Sequence, residues 1–261
     1  MIPLRDNIPT TRKPLVTYAI IIANVLVYFF WQQGGLVWGS PSSPHYLHNL
    51  SDFGAFPYEF VHPSQHCELV GQGVRCGTHL PSQPPTWLTP FTAMFMHGGL
   101  LHLGGNMLFL WIFGNNVEDS MGRVKFLIFY LLGGLAAFAV QTVASLPGGN
   151  SQLAVPTLGA SGAIAAVLGG YLLLFPRARV VTVIFIIFFF TILELPAVIV
   201  LGVWFLEQAY SVAISYPGGG GGGVAYGAHV GGFLFGLLTI RLFSSRRRVA
   251  QQSGGALWRR S

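Results

Sequence analysis

Five stretches of this chain run without a single Lys, Arg, Asp or Glu: 15–31, 98–117, 126–146, 157–175 and 224–240. Each approaches the roughly 20 residues that a helix needs to cross a bilayer. In hydrocarbon a backbone must satisfy its own polar groups, so such stretches are expected as helices. Composition agrees: only 8% of the 261 residues are charged, against about 25% in a soluble domain, and the mean hydropathy is +0.58. The expectation is an all-α integral membrane protein, multi-pass, in one compact bundle. The first stretch follows Arg5, Arg12 and Lys13 as a signal core would. It is too long for one and lacks a following small-x-small site, so it is read as a retained anchor.

Charge sets the expected topology. Of the 14 Lys and Arg, all but Arg75 fall before the first stretch, between the second and third, after the fourth, or after the last. The positive-inside rule then places both termini in the cytoplasm. The fourth and last stretches both begin outside and end at Arg177 and Arg241. An odd number of crossings must therefore separate them, so 180–213 counts as one. Pro196 breaks that region. Residues 180–193 are expected along or dipping into the cytoplasmic face, with 195–213 crossing; one bent helix is the alternative. Six spans result. The division is a cytoplasmic N-terminus (1–14), a membrane domain (15–243) with an outer loop (34–92), and a basic cytoplasmic tail (244–261). The net charge of +6 is mainly an orientation signal, with Arg246–Arg248 able to meet anionic lipid. The cations form no reading surface, so no nucleic acid is expected. The cell (plasma) membrane is the expected location.

The outer loop holds both cysteines, Cys67 and Cys76. An oxidising compartment favours a disulfide between them; a zinc site from His66, Cys67, Cys76 and His79 is the weaker alternative. The run of six glycines at 218–223 reads as a flexible link before the last span.

Ionisable side chains within spans are costly and usually functional. Aspartates occur only at 6, 52 and 119, outside the apolar stretches, and HExxH is absent. Aspartyl and zinc-protease chemistry therefore lack their groups, and no metal or cofactor is expected. Charged midplane residues and inverted repeats, which a transporter or channel would need, are missing too. What remains is Ser161, His229 and "HGGLLHLGGN" (97–106). His102 and Asn106 are four apart and share a helix face. His97 lies about 140° from His102 and is expected at the helix mouth as a structural hydrogen-bond partner. Alone, this trio reads as polar glue between helices. Ser161 sits between Ala160 and Gly162, two residues after Gly159, near a helix N-terminus. A lone serine there is usually a packing residue, yet free N–H groups and the positive dipole end favour a developing negative charge. His229 precedes Gly232 and Gly236, a spacing that brings two helices to backbone contact. By the expected topology Ser161 and His229 lie at matching depth.

Taken together, "GASG", "AHVGGFLFG" and "HGGLLHLGGN" resemble the motifs of the rhomboid intramembrane serine proteases, in the family's order and on the expected spans. The resemblance covers 15 to about 243. It implies a six-helix rhomboid-like bundle that cleaves single-span membrane proteins near the outer face, with transmembrane substrates and the lipid bilayer as partners. Ser161 would be the nucleophile and His229 the general base, a dyad without aspartate. The Ser161 N–H, His102 and Asn106 would form the oxyanion hole. Gly159 and Gly162 would shape the site, and Gly232 and Gly236 would pack the last span on the Ser161 span. Some bacterial members carry a tyrosine four residues after the serine; here it is Ala165, which leaves open what orients His229. The alternative function is a catalytically inactive rhomboid-like protein that binds membrane clients.

Overall fold

The charge-free stretches form helices, joined by segments rich in Gly and Pro. The computed structural model describes residues 1–34, 44–71, 73–78, 84–186, 189–215 and 224–258. Strand β1 (Ile2–Asp6) precedes α1 (Leu15–Leu26), which continues through a π turn (Val27–Trp31). The 34–92 segment carries α2 (Pro44–Phe53), α3 (Pro57–Val61), the hairpin β2 (His66–Val70) and β3 (Gly73–Gly77), and the start of α4 (Thr89–Ala93). Helix α5 (Leu100–Phe109) passes through a second π turn (Leu110–Gly114) into α6 (Asn115–Met121). Next come α7 (Arg123–Ser145), the short α8 (Gly149–Leu153) and α9 (Ser161–Leu174). Strands β4 (Arg179–Ile186) and β5 (Phe189–Pro196) lead into α10 (Ala197–Ser215), α11 (Tyr226–Phe243) and α12 (Arg246–Trp258). Among the described residues, Arg123–Leu153, Ala197–Ile214 and Tyr226–Phe243 are helical stretches long and apolar enough to cross a membrane. Leu15–Trp31 and Ser161–Leu174 are apolar but shorter.

Helix α9 is the hub. Every residue from Gly162 to Tyr171 is buried, so the helix has no solvent- or lipid-facing stripe. Its 14 residues rise only about 21 Å, short of the roughly 30 Å hydrocarbon thickness, which a helix ringed by others tolerates. The contact with α11 is backbone on backbone. A Cβ at Gly232 would lie 2.0 Å from the Gly162 carbonyl oxygen, and one at Gly236 would lie 1.9 Å from that of Ala166. No other side chain fits at either position, and the close approach gains dispersion contacts along both helices.

The acidic end of α6 organises the N-terminal segment. The Glu118 carboxylate accepts from the Val16 and Thr17 backbone N–H groups (3.1 and 2.7 Å) and from the Thr17 hydroxyl (2.8 Å). Those N–H groups open α1 and have no intrahelical partner, and a negative charge there also meets the positive dipole end. Asp119 accepts from the Thr11 N–H and hydroxyl in the same way. Helix α12 docks against this corner, with the Ser245 N–H donating to the Ser120 carbonyl (2.9 Å) and Gln252 to the Asn116 carbonyl (3.2 Å).

The chain is mostly helical but not all-α, a correction to the sequence expectation. Residues 179–186 and 189–196 pair as antiparallel strands, β4 on β5 from Arg179↔Pro196 to Ile186↔Phe189, and β1 adds to β4 from Asp6↔Val180 to Ile2↔Val183. The run is dense in Val, Ile, Phe and Thr, residues that suit a pleated surface. Periodicity does not distinguish such a run from a buried helix. The strand pair presents Phe185, Phe189, Phe190 and Ile192 outward. A long apolar helix then begins at Ala197, close to the start at 195 expected from the sequence.

The second hairpin, β2–β3, is built differently. Cys67 and Cys76 pair directly across it and are joined by a disulfide. The Cys67 N–H donates to the buried Glu59 carboxylate at 2.8 Å. The two cysteines are therefore unavailable to the alternative zinc site. No metal-binding cluster occurs among the described residues, and His79 and the glycine run 218–223 lie outside them.

Candidate active site

Gly159, Ser161 and α9 define one wall. Gly159 has φ +112°, a conformation that L side chains rarely adopt. Its N–H donates to the Ala93 carbonyl at 2.9 Å. The turn it makes delivers Ser161 as the first residue of α9, where the leading N–H groups lack intrahelical acceptors. Gly162 faces α7; a Cβ there would lie 2.6 Å from that of Ala137.

Helix α11 brings His229 to the serine. The His229 Nε2 lies 2.8 Å from Ser161 Oγ, between residues 68 apart in the chain. This distance follows from the Gly232 and Gly236 contacts, because one bulky residue there would push α11 away from α9. The other ring nitrogen, Nδ1, lies 2.7 Å from Gln208 Oε1 on α10. Trp204, one turn earlier on α10, sets its ring 5.6 Å from the imidazole, with 35° between the planes. Neither ring-nitrogen contact is to a carboxylate. Gln208 and Trp204 were missed at the level of sequence. An amide inside an apolar span is itself a costly polar group; extending the search from ionisable residues to amides finds Gln208, which follows Glu207 on α10.

Helix α5 supplies the facing wall. The His102 Nδ1 accepts from the Gly98 N–H at 3.3 Å, so Nε2 carries the ring proton and is free to donate. Its position is marked by Gly159: a Cβ there would lie 2.8 Å from His102 Nε2 and 3.6 Å from Asn106 Nδ2. Asn106 Nδ2 is a buried donor with no partner. Two N–H donors therefore converge beside the residue that precedes the serine turn. His97 lies behind them at the mouth of α5, fully buried. Its backbone is clamped by the Gln32 amide, which donates to the His97 carbonyl (2.7 Å) and accepts from its N–H (3.0 Å). The ring stands edge-on to His102, centroids 5.1 Å apart.

These walls enclose a cavity of about 630 Å³ lined by Ser161, His229, His102, Asn106, Trp204 and Tyr226, among others. It holds a hydroxyl hydrogen-bonded to a ring nitrogen, with donors across from it, which is the equipment for acyl transfer. Cys67 and Cys76 lie in the β2–β3 hairpin and do not line it.

A family model described as "Rhomboid domain" matches residues 84–246, more than half of the chain. Among similar proteins, "Rhomboid protein 1, mitochondrial" of Saccharomyces cerevisiae is 31% identical over 152 residues, 55% of this chain and 38% of that protein. "Presenilin-associated rhomboid-like protein, mitochondrial" of Bos taurus is 30% identical over 154 residues, 56% of this chain and 35% of that protein. "Rhomboid protease GluP" of Bacillus subtilis is 30% identical over 160 residues, 61% of this chain and 24% of that protein. The chain thus spans well under half the length of these relatives. Their names overturn the plasma-membrane location expected from the sequence, since the yeast and bovine relatives are mitochondrial and point to a mitochondrial membrane. Charge asymmetry orients a bundle within a bilayer and carries no information about which bilayer.

Proposed function

The chain belongs to the rhomboid family, and on that premise we propose that it is an intramembrane serine endopeptidase that cuts single-span membrane proteins. The observation that carries this reading is the 2.8 Å contact between His229 Nε2 and Ser161 Oγ. Serine is a weak nucleophile at its own pKa and needs a base within hydrogen-bond reach. His229 takes the hydroxyl proton as Oγ bonds to the scissile carbonyl carbon, and the carbonyl π pair moves onto oxygen. The resulting oxyanion is received by the Ser161 N–H, His102 Nε2–H and Asn106 Nδ2. Each aimed donor is worth about 2.7–4 kcal/mol in such a transition state. His229 then returns the proton to the leaving amine, and water repeats the cycle on the acyl-enzyme.

The arrangement in the membrane that we propose has six crossings, 15–31, 100–121, 123–145, 161–174, 197–215 and 226–243. Both termini lie on the inner, Lys- and Arg-rich side. Residues 15–243 are the membrane domain, flanked by 1–14 and the basic tail 244–261. Ser161 and His229 then sit near the outer ends of their helices, where water enters the cavity. Gly159 and Gly162 shape the nucleophile turn, and Gly232 and Gly236 hold α11 on α9. Transmembrane substrates and the bilayer are the partners.

The test is fluorophosphonate labelling of the purified, detergent-solubilised protein beside Ser161→Ala and His229→Ala, with cleavage of a model single-span substrate in parallel. Labelling and cleavage that require both residues are expected. A well-folded wild type that neither labels nor cuts would overturn the reading in favour of an inactive client-binding relative.

A further inference from the structure

A dyad works only if the histidine presents a lone pair, not a proton, to the serine. A neutral imidazole has two tautomers, and the one present is set by the hydrogen bond that the other nitrogen makes. Here that bond goes to Gln208 Oε1, 2.7 Å from His229 Nδ1. An amide oxygen is an acceptor only, so Nδ1 must carry the proton and Nε2 is left to accept from Ser161.

We infer that Gln208 is the positioning residue of the dyad, holding His229 in the Nδ1–H tautomer and in the plane that meets Ser161. The inference rests on the protease reading above and adds the group that orients the base. Gln208 is itself buried, 6% exposed, so water does not compete for its amide. It sits one helical turn after Trp204, on the same face of α10. The Trp204 ring stands tilted beside the imidazole, centroids 5.6 Å apart, and the Gln208 amide bonds its edge, so α10 meets His229 with both a ring and an acceptor. The position four residues after the nucleophile is Ala165, whose methyl group makes no hydrogen bond to the ring. When His229 takes the serine proton, the Nδ1–H bond becomes a bond from a cation, and such bonds are the stronger kind. A carboxylate would bind the imidazolium more tightly still, but a charge within a membrane span is costly. The amide supplies the same acceptor geometry with no charge. Titratable groups around the ring are Tyr226 on its own helix, ring centroids 6.5 Å apart, and His102 on the cavity wall; Glu207, beside Gln208 on α10, is exposed.

The test compares wild type, Gln208→Leu and Gln208→Glu in detergent, each first shown to share the wild-type elution profile and thermal midpoint. Nitrogen-15 NMR of histidine-labelled protein reads the tautomer, with the His229 signals assigned by their loss in His229→Ala. Wild type is expected to show Nδ1 protonated and Nε2 bare. In Gln208→Leu the Nε2–H form should appear, with kcat on a single-span substrate falling about 10–100-fold and KM unchanged. Gln208→Glu should keep the tautomer and the cleavage. Its carboxylate favours the imidazolium, so the acid limb of its pH–rate profile should move to higher pH. Should Gln208→Leu fail to fold, the Gln208→Glu profile and the wild-type tautomer carry the test. A wild type with Nε2–H, a folded Gln208→Leu with unchanged tautomer and kcat, or a Gln208→Glu profile superimposed on wild type would overturn the inference. A wild type that shows the Nδ1–H tautomer set by Gln208 but neither labels nor cuts would sink the protease reading and leave the positioning role standing.

Discussion

Helices α9 and α10 both reach the cavity that holds Ser161 and His229, under opposite constraints. In α9 each residue from Gly162 to Tyr171 is buried. Helix α10 faces outward over much of its length: only 22% of its apolar window is buried, and Leu206 and Tyr210 are each 66% exposed. Ser161 is therefore placed by backbone packing, which leaves no room for a side chain at Gly232 or Gly236. His229 is met by the Gln208 hydrogen bond and the Trp204 ring, both from a helix whose outer face can vary freely. Precision comes from two sources here, steric on one side of the site and polar on the other.

The sharpest way to separate those sources is to remove chemistry without touching packing. Ser161→Ala should lower kcat by roughly 10⁴–10⁶-fold while leaving the thermal midpoint in detergent at its wild-type value. A midpoint that fell as well would mean that the hydroxyl supports the fold, and the contrast between the two helices would blur. The complementary change attacks packing alone. A side chain at Gly236 meets the Ala166 carbonyl at 1.9 Å, and backbone has nowhere to go. Gly236→Leu should destabilise by about 3 kcal/mol or more, read as the midpoint of thermal unfolding. A stable, active Gly236→Leu protein would break the claim that α11 is set by backbone contact.

The C-terminal end of α9 offers a pH handle of smaller size. Asp6 on β1 accepts from the Tyr171 hydroxyl at 2.5 Å and from the Asn116 amide at 2.6 Å, tying the N-terminal strand to α9. Burial raises its carboxyl from 3.8 to about 7, against the pull of those hydrogen bonds. Between these values the folded protein holds a proton that the unfolded chain has released, so stability should fall as pH rises from about 4 to about 7. The slope should approach 1.4 kcal/mol per pH unit at most. Thermal midpoints measured across that window for wild type and Asp6→Asn test this; equal slopes in the two proteins would remove Asp6 as the cause. Least of all should follow from the outward face of α10. Leu206→Ala should change stability by no more than about 0.5 kcal/mol and leave kcat alone. A large loss would show that this face is covered in the working protein.

Much of this molecule was legible from the chain. Charge-free stretches gave the helices, because the cost of burying a charge in hydrocarbon is paid residue by residue along the sequence. The Ser161, His229 and His102–Asn106 motifs were legible because each rests on local spacing, a glycine-flanked serine or an i, i+4 pair. The β4–β5 strand pair was not, since a run such as "VVTVIFIIFFFTIL" suits a strand or a buried helix equally and only its pairing with β1 decides. Nor was the docking of α12 on α6, which depends on carbonyl groups left free at a helix corner.

What the sequence by itself determined is an apolar, mostly helical chain carrying a glycine-flanked serine, a histidine and a His–Asn pair at helical spacing. Apolar length, charge asymmetry and motif spacing are one-dimensional properties and survive reading in one dimension. Only the tertiary structure decided that Ser161 and His229 meet, and which nitrogen of His229 faces the serine. That second choice falls to Gln208, a residue 21 positions away with no motif around it. A proton's place on an imidazole is set by what packs against the far side of the ring, and packing of that kind has no signature along the chain.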